Sequence, residues 1–198
     1  MVSNRYYQMM PETANDAARE LAELLLHLGR AAYAESAGGG LSAAQWAALR
    51  YFARANRFSR TVSGFAEFHA TTRGTASQTV KSLVNRGLLE RARSERDGRS
   101  VLFKLTQPAR RQLRRDPFDA LVRAAGHLNP RQLDEVSGEL RRVGEYLEAE
   151  RGSASVGRCE RCGHLVSDGG DYRCGLMQEP LATAELGEIC MRYRARAQ

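Results

Sequence analysis

Between Thr72 and Thr106 the apolar residues change period. Ala76, Val80, Leu83 and Val84 recur at helical spacing, so a helix capped by Thr72 is expected to carry them on one face. Gly87 closes that run, as expected of a glycine in the left-handed position beyond a helix, with Leu88 as the apolar contact. Leu88 to Arg93 and Ser100 to Leu105 then read as two short strands, with Val101, Phe103 and Leu105 alternating with polar or longer residues. Asp97-Gly98 lies between them and is a hairpin-turn signal. A helix leading directly into a short hairpin admits few folds.

What precedes it narrows the choice. A first helix is expected over about Asn15 to Ala34, its stripe made by Leu21, Leu24, Leu25, Leu28 and Ala32, before the run Gly38-Gly39-Gly40. Ser42 with Gln45 reads as a capping box and Leu41 with Trp46 as a hydrophobic staple, opening a helix that runs to about Ala55. A shorter helix follows near Thr61 to His69. The order is that of a winged helix-turn-helix, whose third helix enters the major groove while the hairpin reaches the backbone or minor groove.

Downstream, Thr106 is placed to cap a helix. Asp116-Pro117 and Asn129-Pro130 each open another, with proline at the permitted first position. Leu133, Val136, Leu140, Val143 and Leu147 recur at 3-4-3-4 intervals, a coiled-coil-like seam. The expected fold is therefore mainly α with a small β-hairpin wing (α+β). Residues 1–150 form the winged-helix and dimerisation domain, 151–158 a linker and 159–198 a four-cysteine segment.

The net charge of +7 is concentrated. Residues 71–115 hold 12 Lys and Arg against 3 Asp and Glu, while the rest of the chain holds 18 against 20. A solvated basic face would account for charge alone; focused on the recognition helix and hairpin, it reads as the footprint of a polyanion. Thr72, Arg73, Thr75, Ser77, Gln78 and Lys81 on the helix, with Arg91, Arg93, Arg96 and Arg99 on the hairpin, are the candidate DNA contacts. Arg and Gln suit guanine and adenine edges, and Ser, Thr and Lys suit phosphates.

The stretch LVNRGLLERARSERDGRSVLFKLT, Leu83 to Thr106, resembles the wing signature of the MarR family. The shared elements are Leu83, Gly87-Leu88, Arg91, Asp97 with Arg99, and Leu105-Thr106. The resemblance covers roughly Asp16 to Glu148. It implies a homodimer built from the first and last helices on a pseudo-palindromic operator in double-stranded DNA, with repression the commoner habit. It also implies that Arg99 works at the minor groove and that Asp97 orients the wing arginines. Ala109 stands where the family usually has glycine, and typical members lack an extension beyond Glu150.

That extension holds all four cysteines, as Cys159-x2-Cys162-x11-Cys174-x15-Cys190. Four thiolates suit Zn²⁺ or an iron–sulfur cluster. Cys159-Glu-Arg-Cys162-Gly163 resembles one knuckle of a zinc ribbon, but no second Cys-x-x-Cys follows. The uneven spacing favours a [4Fe–4S] or [2Fe–2S] cluster, with zinc as the alternative. The stretch between Cys174 and Cys190 reads as helical; Leu176, Met177, Leu181, Leu186 and Ile189 would give the site an apolar shell. His164 is more often a neighbour than a ligand at such a position. Tyr172 and Tyr193 read as packing.

No export signal or membrane span is evident, so a cytoplasmic place is expected. The expected function is a DNA-binding transcriptional regulator tuned by a cluster that senses redox state, oxygen, nitric oxide or iron. Its tail would pack against the dimerisation helices. The alternative is a regulator with a structural zinc tail that answers to a small molecule. A dithiol redox enzyme is the remote reading, since Cys159-x2-Cys162 lacks a neighbouring βαβ unit; otherwise no catalytic constellation stands out.

Overall fold

The helix expected after Thr72 begins where its cap dictates. In the computed structural model, which describes residues 12–34, 40–93, 101–153 and 155–196, Thr72 Oγ1 accepts from Thr75 N at 3.1 Å. The helices are α1 (Glu12–Ala34), α2 (Ala43–Arg54), α3 (Val62–Phe68), α4 (Arg73–Asn85), α5 (Gln107–Leu113), α6 (Phe118–Ala125) and α7 (Pro130–Arg151). The wing pairs β1 (Leu89–Arg93) with β2 (Val101–Leu105), antiparallel from Leu89↔Leu105 to Arg93↔Val101. Asp97-Gly98, Arg96 and Arg99 lie outside the described residues.

Gly87 ends α4 at φ 67°. Leu88 N bonds Leu83 O and Gly87 N bonds Val84 O, both at 2.9 Å. This pair of bonds is the Schellman closure, which an L side chain at Gly87 would strain. Thr106 Oγ1 in turn caps α5, accepting from Ala109 N at 3.4 Å. Ala109, fully buried, fits where the family's glycine would stand.

The chain divides into two compact units, one made of residues up to Ala43 with Arg115–Arg151, the other of Ala44–Arg114 with Gly152 onward. In the first, α1 packs on α6. Asn129 and Gln132 cap α7 reciprocally, with both side-chain to backbone bonds at 3.0 Å. At α6 proline takes the cap position itself, and Asp116 Oδ1 receives Phe118 N at 2.9 Å. Among the described residues, much of this unit's apolar stripes stays open to solvent. Leu140 and Leu133 are 37% exposed, and Val136, Val143, Leu147, Leu21, Leu24 and Leu28 more so.

The second unit has the dense core. Trp46, Leu49, Tyr51 and Phe52 from α2, Phe65 from α3, Ala76, Val80 and Leu83 from α4, and Leu89 and Phe103 from the wing are all buried. Tyr51, Phe52, Phe65 and Phe103 stack at centroid spacings of 5.2–5.9 Å. Such aromatic contacts add about 0.5–1.5 kcal/mol each beyond area burial.

The cysteine tail belongs to this unit and is built of strands. β3 (Gly157–Arg158) pairs with β7 (Ile189–Cys190), and β4 (Leu165–Asp168), β5 (Asp171–Cys174) and β6 (Glu179–Leu181) form an antiparallel sheet. The helix expected between Cys174 and Cys190 is instead β6 and a 3-10 turn, Thr183–Gly187. Pro180 is tolerated because β6 is an edge strand. Among the described residues, no helix is long and apolar enough to cross a membrane.

Candidate nucleic-acid interface and cysteine centre

α4 buries one face and exposes another. Ala76, Val80 and Leu83 point into the core, while Thr72, Arg73, Thr75, Ser77, Gln78 and Lys81 lie on the outward face. The sequence-derived contacts on this helix thus share a solvent face. The hydroxyls of Thr72 and Thr75 lie 2.9 Å apart and serve the cap. Arg93 is exposed at the end of β1. Arg91 and Arg73 line one surface depression together with Thr61 and Ser63, so the first turn of α4 and the wing strand present cations to the same concavity. That arrangement suits a phosphate backbone.

Gln45 on α2 reaches across to α4, donating to Ser82 Oγ at 2.9 Å and accepting from Arg86 at 3.4 Å. These bonds tie α2 to α4 and its C-terminal cap. His69, at the end of α3, is half-buried; burial, and next the charge of Arg50, hold its pKa below the ordinary histidine value.

All four cysteines line one small cavity, with Asn56, Phe58, His164, Met177 and Leu181. Cys159 and Cys162 are the ends of a single tight turn, Cys162 N bonding Cys159 O at 3.0 Å. Cys174 ends β5 and Cys190 ends β7. Cys159, Cys190 and Leu181 form a buried cluster against which Tyr172, Tyr193 and Leu186 pack. The tyrosines therefore act in packing. His164 joins the cavity wall, beside the cysteines, as its spacing from Cys162 suggested.

Two of the sulfurs receive N–H bonds. Asn56 Nδ2 donates to Cys159 at 3.6 Å, and Arg192 N to Cys190 at 3.4 Å. The free Cys159 and Cys190 thiols also share a hydrogen bond. That bond, aided by the Arg192 backbone N–H, pulls the Cys190 pKa down, while the same bond and burial push Cys159 up. The donor set is all sulfur, supported by N–H groups as thiolate ligands are. Among the described residues, no three His, Cys, Asp or Glu side chains converge closely enough to hold one metal ion.

The tail's contacts run to residues 55–60, the corner between α2 and α3. Ala55 and Ile189 form a parallel bridge. Arg57 meets Glu185 at 3.5 Å and Arg60 meets Glu188 at 3.2 Å. These contacts attach the tail to that corner. Asn56, Ser59 and Arg60 carried no signal in the sequence, because their partners lie more than 100 positions away. Nor does the Cys159-x2-Cys162 turn sit beside a βαβ unit; its neighbours are short antiparallel strands.

Residues 39–100 match the family model described as MarR family. Among solved structures, AbsC, a MarR family transcriptional regulator from Streptomyces coelicolor, is similar at 21% identity and TM-score 0.58, over 71% of this chain and 97% of that one. The S. aureus MepR–DNA complex is similar at 15% identity and TM-score 0.52, over 65% and 96%. At these identities the likeness is one of fold. No curated protein matches the sequence.

Proposed function

We propose that this winged-helix transcription regulator of the MarR type binds double-stranded DNA as a homodimer, and that its four-cysteine tail holds an iron–sulfur cluster that tunes the binding. The observation that carries the DNA reading is the outward polar face of α4, Thr72 to Lys81, beside Arg91 and Arg93 of the wing. Arg73 and Gln78 are the candidate base readers, and Lys81 with the wing arginines holds phosphates. The MepR structure is of a DNA complex, and the fold shared with it supports the same docking here. The exposed leucine and valine seam of α7 and the stripe of α1 support the dimer, since burial in a partner would remove them from water. Two recognition helices related by a two-fold axis then read a pseudo-palindromic site.

Cys159, Cys162, Cys174 and Cys190 would hold the cluster, which supplies one-electron chemistry and reactivity toward oxygen and nitric oxide. Asn56 and Arg192 N support the ligand sulfurs, and Met177 and Leu181 limit water at the cavity. Zinc is the second reading because the Cys159–Cys162 turn is of the knuckle kind. The test is the metal content and visible spectrum of protein purified without oxygen. Iron with acid-labile sulfide supports the cluster; colourless protein with about one zinc per chain overturns it in favour of a structural tail.

A further inference from the structure

We infer that Asn56 and Ser59 are positioning residues that carry the state of the four-cysteine centre to the recognition helix and wing, a step that rests on the metal-binding reading of the tail.

Both residues are almost wholly buried, at 1% and 2% exposure, and both face in two directions. Asn56 donates its side-chain amide to Cys159 Sγ, while its Oδ1 accepts from Phe58 N at 3.2 Å and its backbone N donates to Ile189 O at 2.8 Å. Ser59 Oγ accepts from Met191 N at 3.0 Å, and Ser59 O accepts from the Tyr51 hydroxyl at 2.6 Å. Ile189 and Met191 are the two neighbours of Cys190. Cys159 directly, and Cys190 through the residues on either side of it, are thus pinned to the α2–α3 corner.

The corner has little slack to absorb a movement of the centre. A Cβ on Gly64 of α3 would meet Tyr51 Oη, stand 2.6 Å from Ser59 O and 3.3 Å from Met191 Cγ. α3, the corner and the cysteine strand are therefore in close contact. Packed interiors transmit displacement rather than dissipate it. Beyond the corner the path divides. Arg60 O accepts from Phe103 N of β2 at 2.8 Å, which ties the corner to the wing. Thr71 N bonds Ala66 O at the start of the recognition helix, and α3 packs on α4. The ion pairs of Arg57 and Arg60 reinforce the docking, but pairs open to solvent contribute little. The buried hydrogen bonds are the stronger link, since breaking one leaves an unsatisfied group.

The test is amide hydrogen exchange on the full chain, loaded as purified without oxygen and stripped by chelator. A Ser59→Ala variant is measured alongside, because it removes one hydroxyl and preserves the aromatic core. Stripping the unmodified protein is expected to speed exchange at residues 55–61 and 101–105 about ten-fold, within the usual range of coupling between sites, while 130–151 stays unchanged. Ser59→Ala is expected to keep its metal, yet to show the stripped pattern at 101–105 when loaded. Metal bound with identical exchange in the loaded and stripped forms overturns the inference alone. Absence of bound metal from the unmodified protein overturns the metal reading together with it.

Discussion

The side-chain amide of Asn56 donates to the sulfur of Cys159 at 3.6 Å, across 103 positions of sequence. The bond joins the helix-turn-helix corner to the cysteine tail, so the tail is part of the winged-helix unit rather than an appendage to it. Changes made at the seam between them should therefore be felt in both.

Gly64 stands at that seam. Replacing glycine with alanine inside a helix ordinarily stabilises by up to about 1 kcal/mol. Here the new methyl would meet the backbone oxygen of Ser59 at 2.6 Å, which cannot rotate away. Overpacking of this kind costs about 1–3 kcal/mol, so the clash wins. Gly64→Ala is expected to lower the denaturation midpoint and loosen the tail, measured by urea unfolding.

Gln78 and Lys81 separate specificity from general affinity. Gln78→Ala should weaken operator binding by about 1–3 kcal/mol and relax the preferred base at one position. Lys81→Ala should weaken all sequences alike and reduce the salt slope by about 1. Binding titrations on a site selected from random duplexes, at several salt concentrations, check both. If Gln78→Ala left affinity and base preference unaltered, α4 would not be reading bases through that side chain.

In the dimer proposed above, the seam on α7 is the interface. Leu140 is 37% exposed in the single chain; an unpaired carboxylate buried at its place in a dimer would cost about 3 kcal/mol or more. Leu140→Asp is expected to give monomers by ultracentrifugation, with helix content kept and operator affinity lost. Dimers that persist would move the interface elsewhere.

His69 sets a pH response. Burial, followed by the Arg50 charge, holds its folded pKa below 6.5. In that case the unfolded chain takes up a proton first as pH falls, so stability is lost from about pH 6.5 downward until the folded pKa is reached. Above that window the residue contributes no slope. Unfolding free energies at pH 7.5 and 5.5 should differ less in His69→Phe than in the natural chain.

What was legible in the sequence was local. Thr72 and Thr106 cap helices they immediately precede, and Gly87 takes the left-handed φ that closes the helix just before it. The outward face of α4 follows from the spacing of Ala76, Val80 and Leu83. The tail was less readable. Leu181, Leu186 and Ile189 fit a helical spacing, yet Pro180 and the antiparallel pairing of β5 with β6 make that stretch strand and 3-10 turn. Short apolar runs do not distinguish these by period alone. The attachment to residues 55–60 had no local signature, because single polar residues such as Asn56 and Ser59 show their partners only after folding.

Whether the cysteine centre governs DNA binding is decided by one titration: operator affinity of the dimer with its centre loaded and with it stripped, in the absence of oxygen and at fixed salt. Coupling through the α2–α3 corner should make the two affinities differ by about ten-fold or more, the scale of ordinary coupling between sites. Equal affinities, with iron and sulfide bound in the loaded form, would contradict that coupling and leave the tail a structural part of the winged-helix unit.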